Sequence, residues 1–148
     1  MSISEEQRTE TAVTMVEGFN AVQFDRVHSW LTETYWSPGI SKDRVMRAAE
    51  HSSLIVSAFL GDQQVGYLRV VSDKTHFGYF CDVIVSPDHR GRGIGRTMVQ
   101  YALGHPEYAG MRRWMLATKD AHGVYEGVGF SLLDNPENWM ILRPEPVG

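Results

Sequence analysis

The sequence predicts an α/β fold: a mixed, mainly antiparallel central sheet with helices on both faces. Three observations carry this. Apolar, β-branched runs at 54–60, 65–71 and 79–85, the first two separated by the turn pair Gly61-Asp62, read as an antiparallel meander. The period then changes, and Ile94, Met98, Tyr101 and Ala102 share one helical face. An apolar run returns at 114–117, so a strand, a helix and a strand follow one another and their strands should be parallel.

The remaining elements follow in chain order. Residues 17–24 mix Phe, Val and small residues as a first strand would, and Asp25 is placed to cap a helix with Val27, Trp30 and Leu31 at helical spacing. Ser37-Pro38-Gly39 ends that segment. Ser41 then caps a second helix running toward His51, with Val45, Met46 and Ala49 on its buried face. Beyond the parallel unit, a short helix is expected over 120–126, a turn at Gly129-Phe130 and a last strand over 139–142. Core packing is the expected role of Trp30, Tyr35 and Trp36, ahead of a place over a binding site. Cys81, inside a strand, reads as a small buried hydrophobe.

Composition narrows the function. The chain has 148 residues, 43% of them hydrophobic, which suits one domain spanning 1–148. With 14 Lys and Arg against 18 Asp and Glu, it lacks the basic excess that a general nucleic-acid binder needs. The single cysteine excludes an internal disulfide, and the six histidines show no metal-ligand spacing. The N-terminal octet has no apolar leader and no stretch approaches a membrane span, so a cytoplasmic protein is expected. Association as a homodimer is left open.

The segment with the most chemistry runs from Val83-Ile84-Val85 through Ser86-Pro87-Asp88-His89-Arg90-Gly91-Arg92-Gly93-Ile94-Gly95-Arg96-Thr97. It is a buried strand, a turn and a glycine-rich entry into a helix. N–H groups of a first helical turn have no partner within the helix and lie at the positive end of its dipole, where phosphate binds well. Arg90, Arg92 and Arg96 add positive charge to an acidic chain. A dinucleotide fingerprint starting at Gly91 would need glycine where Arg96 stands, and a nucleotide phosphate loop would need lysine before Thr97.

The spacing that fits is Arg-x-x-Gly-x-Gly at Arg90, Gly93 and Gly95, and here the segment resembles the GNAT superfamily of acetyl-CoA-dependent N-acetyltransferases. A second similar stretch, 116–130, ends in Val124-Tyr125 and, four residues on, Gly129-Phe130, like the family's aliphatic-Tyr-x-x-x-Gly-Phe motif. The resemblance implies a sheet splayed open for coenzyme A, with the pyrophosphate at 90–97. It implies pantetheine contacts from Val83, Ile84 and Val85, and further cofactor contacts from Thr118, Ala121 and Tyr125. Thr118 departs from the asparagine common in the family.

An amine attacking a thioester builds charge on the carbonyl oxygen and expels a thiolate, so the site needs an oxyanion donor and an acid. The resemblance assigns the first to the Val85 N–H and the second to Tyr125. Asp82 is the nearest carboxylate in sequence, a candidate base acting through water or a structural hydrogen-bond acceptor; strand alternation puts it on one face with Phe80 and Ile84. The expected activity is direct acetyl transfer to the amine of a small molecule or peptide. A non-catalytic acyl-CoA-binding module is the alternative.

Overall fold

The computed structural model describes residues 12–145, so the N-terminal octet read above lies outside the described residues. Five strands make one sheet in sequence order: β1 (Thr14–Glu17), β2 (Leu54–Leu60), β3 (Gln63–Ser72), β4 (Phe77–Val85) and β5 (Arg113–Met115). The first three pairings are antiparallel and β4 with β5 is parallel, as the change of period predicts. Helix α1 (Phe24–Leu31) and helix α2 (Lys42–Glu50) precede β2, α3 (Ile94–Leu103) crosses from β4 to β5, and α4 (His122–Glu126) follows.

The helices divide between the two faces. Ile94, Met98, Val99 and Ala102 of α3 pack with Val56, Leu68, Val70 and Phe80 on one face. Val27 and Leu31 of α1 and Val45 and Ala49 of α2 pack with Ile55, Tyr67 and Ile84 on the other. Buried apolar area on both sides is what stabilises such a layered domain, at roughly 25 cal/mol per Å² removed from water. Ser41 caps α2 as expected, its hydroxyl accepting from the Arg44 N–H at 3.2 Å.

Several boundaries differ from expectation. The first strand is 14–17, not 17–24; the chain passes into a 3-10 turn at Phe19–Ala21 and Val22 enters the core. What fixes this is a reciprocal bond between Gln23 and Gln64: each side-chain oxygen accepts the other residue's backbone N–H, at 2.7 and 3.0 Å. Asp25 does not cap α1. It lies in the first turn, where the dipole favours an anion, and pairs with Lys42. Helix α4 begins at His122 rather than 120.

No strand forms at 139–142. Met140, Ile141 and Leu142 are 98%, 72% and 87% exposed, on an arm that leaves the sheet after a 3-10 turn at Pro136–Asn138. The run Trp139-Met140-Ile141-Leu142 is continuously apolar, but a strand also needs a ladder partner, and the run pairs with none of the described strands. Among the described residues no helix is long and apolar enough to cross a membrane.

Candidate active site

Strands β4 and β5 share only the pairs Phe77–Arg113, Gly78–Trp114 and Tyr79–Met115, then part. From Phe80 to Val85 the outer edge of β4 is therefore without a partner strand. Its direction can be worked out at the far end: the Ser86 N–H donates to the Val65 carbonyl of β3 at 2.8 Å. Peptide groups alternate along a strand, so the Val85 N–H and carbonyl face away from β3, into the opening. The Val85 carbonyl indeed accepts from Arg90 Nε at 3.2 Å.

The strand is also bulged. Tyr67 faces Ile84 and Arg69 faces Cys81, so Asp82 and Val83 together oppose Leu68. Asp82 takes φ of 52°, in the left-handed region that Asp and Asn enter more readily than most residues. The bulge overturns the alternation read from sequence. Phe80 and Ile84 lie on opposite faces of the sheet, in the two separate core clusters, and Asp82 sides with Ile84, Tyr67 and Arg69.

The glycine-rich loop meets the expectation of free donors. Gly91 and Gly93 take φ of 80° and 78°, a conformation costly for residues with a Cβ. Gly93 is the N-cap of α3 and offers no side chain, and the first intrahelical bond is from the Thr97 N–H to the Gly93 carbonyl. The N–H groups of Ile94, Gly95 and Arg96 therefore have no partner among the described residues. Arg92 is exposed and forms no ion pair or hydrogen bond among them. Arg96 instead donates to the Gly127 carbonyl at 2.9 Å, joining α3 to the end of α4. The Thr97 hydroxyl donates to the Gly93 carbonyl at 2.9 Å.

Between the parted strands lies a cleft of about 550 Å³. Tyr125 of α4 forms part of its wall, packed edge-on against Phe130 at 5.9 Å. Burial, with the nearby Tyr35 and Asp120, pushes the Tyr125 phenol above its ordinary value near 10, so it keeps its proton through neutral pH. The Thr118 hydroxyl accepts the Ala121 N–H at 3.1 Å and fixes the turn that leads into α4. A larger groove, about 930 Å³, lies along β5 between Trp114, Phe130, Leu133 and Trp139, and none of the glycine-loop residues lines either cavity.

Asp82 lies at the floor of the cleft, 12% exposed, and both its oxygens are engaged. Oδ2 accepts from Arg69 Nε at 2.8 Å and Oδ1 from Trp36 Nε1 at 2.9 Å. Arg69 escaped the sequence reading, although one arginine in the apolar run 65–71 was a signal that a buried partner must exist. Trp30 is core, as expected, but Tyr35 and Trp36 are 49% and 43% exposed and roof the cleft. They stand edge to face at 5.0 Å, and the Tyr35 hydroxyl accepts the Lys119 N–H at 2.8 Å. Cys81 is half-buried on the cleft wall. Burial raises its pKa, which keeps it a thiol rather than a nucleophilic thiolate.

Residues 16–130 match the model of the Acetyltransferase (GNAT) family. A crystal structure from Xanthomonas campestris, described as an acetyltransferase of that family, is 35% identical with a TM-score of 0.85, over 90% of this chain and 94% of the other. A GNAT-family acetyltransferase of Streptococcus pneumoniae is 26% identical with a TM-score of 0.70, over 90% and 98%. A Clostridium acetobutylicum structure described with acetyl-CoA shares the fold at 15% identity, TM-score 0.67, over 89% and 96%. A protein of Gibberella zeae described as an acetyltransferase is 45% identical over 62 residues, 39% of this chain, and the match spans 33% of that relative's length.

Proposed function

Because the chain belongs to the GNAT family of acetyl-CoA-dependent N-acetyltransferases, we propose that it moves the acetyl group to a primary amine of a small molecule or peptide by direct attack, as a single domain. The observation that carries this is the bare outer edge of β4, with the Val85 N–H facing away from β3 beside the unpartnered first turn of α3. These are the donors that a pantetheine arm and a pyrophosphate require. The residues present fit the donor substrate: Val83, Ile84 and Val85 along the arm, Arg90 to Thr97 around the phosphates, and Thr118, Ala121 and Tyr125 on the opposite wall.

In this reading the amine nitrogen forms a bond to the acetyl carbon and the carbon–sulfur bond breaks. The Val85 N–H stabilises the charge that builds on the thioester oxygen. Tyr125 gives its proton to the leaving sulfur. The proton lost by the amine passes to water held at Asp82, whose oxygens each keep a lone pair beyond the Trp36 and Arg69 bonds. No side chain is acylated on the way.

We also propose a homodimer. Trp139 packs under Arg113, but Met140, Ile141 and Leu142 beyond it stand exposed, and among the described residues the outer edge of β5 has no strand beside it. The groove by β5 is lined by Arg112, Arg113 and Asp134, and the exposed apolar residues of a second copy's arm would find apolar walls there in Leu103, Met111 and Leu133. The lone cysteine supports a cytoplasmic location.

The deciding experiment measures the thermal midpoint with and without acetyl-CoA. Ligand at a hundred times its dissociation constant adds about 2.7 kcal/mol, a rise of roughly 8 °C for a chain of this length. Thiol release over a panel of amines then separates an enzyme from a non-catalytic acyl-CoA-binding module, which would be stabilised but turn nothing over. No shift at millimolar acetyl-CoA sinks the proposal.

A further inference from the structure

We propose that the acceptor is an α-amino acid with an aromatic or large apolar side chain, held between the Tyr35–Trp36 roof and the Arg69–Asp82 floor. This rests on the transferase reading above and names its acceptor class.

The first argument is charge. A polycationic acceptor, such as a polyamine or an aminosugar, needs carboxylates free to receive it. Asp82 is already neutralised by Arg69, and both side chains are largely buried, 12% and 18% exposed. The other carboxylate on the cleft, Asp120, stands next to Lys119 at the rim. The cleft thus carries opposed charges in equal number, and a zwitterion matches it better than a cation.

The second argument is the unused half of Arg69. Its Nε is spent on Asp82, and Nη1 reaches the Ser52 hydroxyl only at 3.5 Å. The guanidinium keeps N–H donors with no other hydrogen-bond partner among the described residues, on a residue that lines the cleft. A planar fork of this kind is suited to a carboxylate.

The third argument is the roof. Two exposed aromatic rings are normally free to turn, yet these two are pinned, Trp36 to β4 through Asp82 and Tyr35 to the segment after β5 through the Lys119 N–H. They bridge the two strands that part. Tyr79, Phe80 and Tyr125 complete an aromatic lining, which suits a flat or bulky apolar side chain. With the carboxylate on Arg69 and the side chain under the roof, the α-amine is the group left to face the thioester and Tyr125.

The test compares thiol release from acetyl-CoA with L-phenylalanine, phenethylamine, glycine and spermidine. L-phenylalanine should exceed each of the others at least tenfold in kcat/KM: phenethylamine lacks the carboxylate, glycine the ring, spermidine both. A second readout is calorimetric binding of L-phenylalanine to the protein loaded with coenzyme A. Arg69→Lys keeps the charge opposite Asp82 but loses the fork; it should raise KM for L-phenylalanine at least tenfold more than it raises KM for phenethylamine. Faster turnover of spermidine overturns the acceptor class, as does stabilisation by acetyl-CoA without amino-acid binding. Loss of stabilisation by acetyl-CoA itself would instead overturn the transferase reading beneath it.

Discussion

Replacing Asp82 separates two roles that meet at one residue, a buried counter-charge and a left-handed backbone. Without its carboxylate, Arg69 keeps a charge that is only 18% exposed, and breaking a buried pair by removing one partner costs about 3 kcal/mol at the lower end of the usual range. The backbone contribution is separate. Asp82 sits at φ 52°, where glycine outdoes alanine by about 1 kcal/mol net. Asp82→Ala should thus cost about 3 kcal/mol and Asp82→Gly about 2. Asp82→Asn should cost about 1, since asparagine tolerates the conformation and still accepts from Trp36 or Arg69.

Each kcal/mol moves the midpoint of a domain of this length by roughly 3 °C, so the series should fall by about 9, 6 and 3 °C. Urea denaturation supplies the free energies, provided the transition is two-state. The double variant Asp82→Gly with Arg69→Met should be no less stable than Asp82→Gly alone, because it removes the stranded charge. If Asp82→Ala lies within 0.5 kcal/mol of the parent on a scale where surface changes fall, the buried pair is not a stabilising contact. If glycine is no better than alanine, the bulge is not held in the left-handed conformation.

Three further outcomes follow from the site and the arm. Gly93→Val puts a branched side chain at φ 78°, which strains the N-cap that presents the free N–H groups of α3; calorimetry should find acetyl-CoA binding abolished, and unchanged affinity would remove the pyrophosphate from this loop. Tyr125→Phe should cut kcat by about ten- to a hundredfold with little change in acetyl-CoA affinity. In the parent enzyme burial raises the phenol's pKa, so activity that depends on its proton is present below the folded value and fades only above about pH 10. Charging the arm with Met140→Asp and Leu142→Asp should convert a dimer to a folded monomer by light scattering, and a monomeric parent protein would refute the arm's role.

The strands 54–60 and 79–85, helix α3 and the glycine-rich loop were legible in the sequence because their signals are local: a period of two or 3.6, and turn chemistry within a few residues. Tyr125 came from a motif of seven residues. The bulge at Asp82 was not legible, because it is set by register against β3, where Asp82 and Val83 share one partner. That register brings Asp82 to Arg69, thirteen residues away, and to Trp36, forty-six away. Pairing at such separations depends on how three elements pack, and no short pattern encodes it. The same reason governs the misses at the ends. Residues 17–24 looked like a strand until Gln23 found Gln64, and 139–142 looked like one but lacked a ladder in its own chain. The sequence by itself determined the elements and the loop that offers free N–H donors; only the tertiary structure decided which side chains floor and roof the cleft.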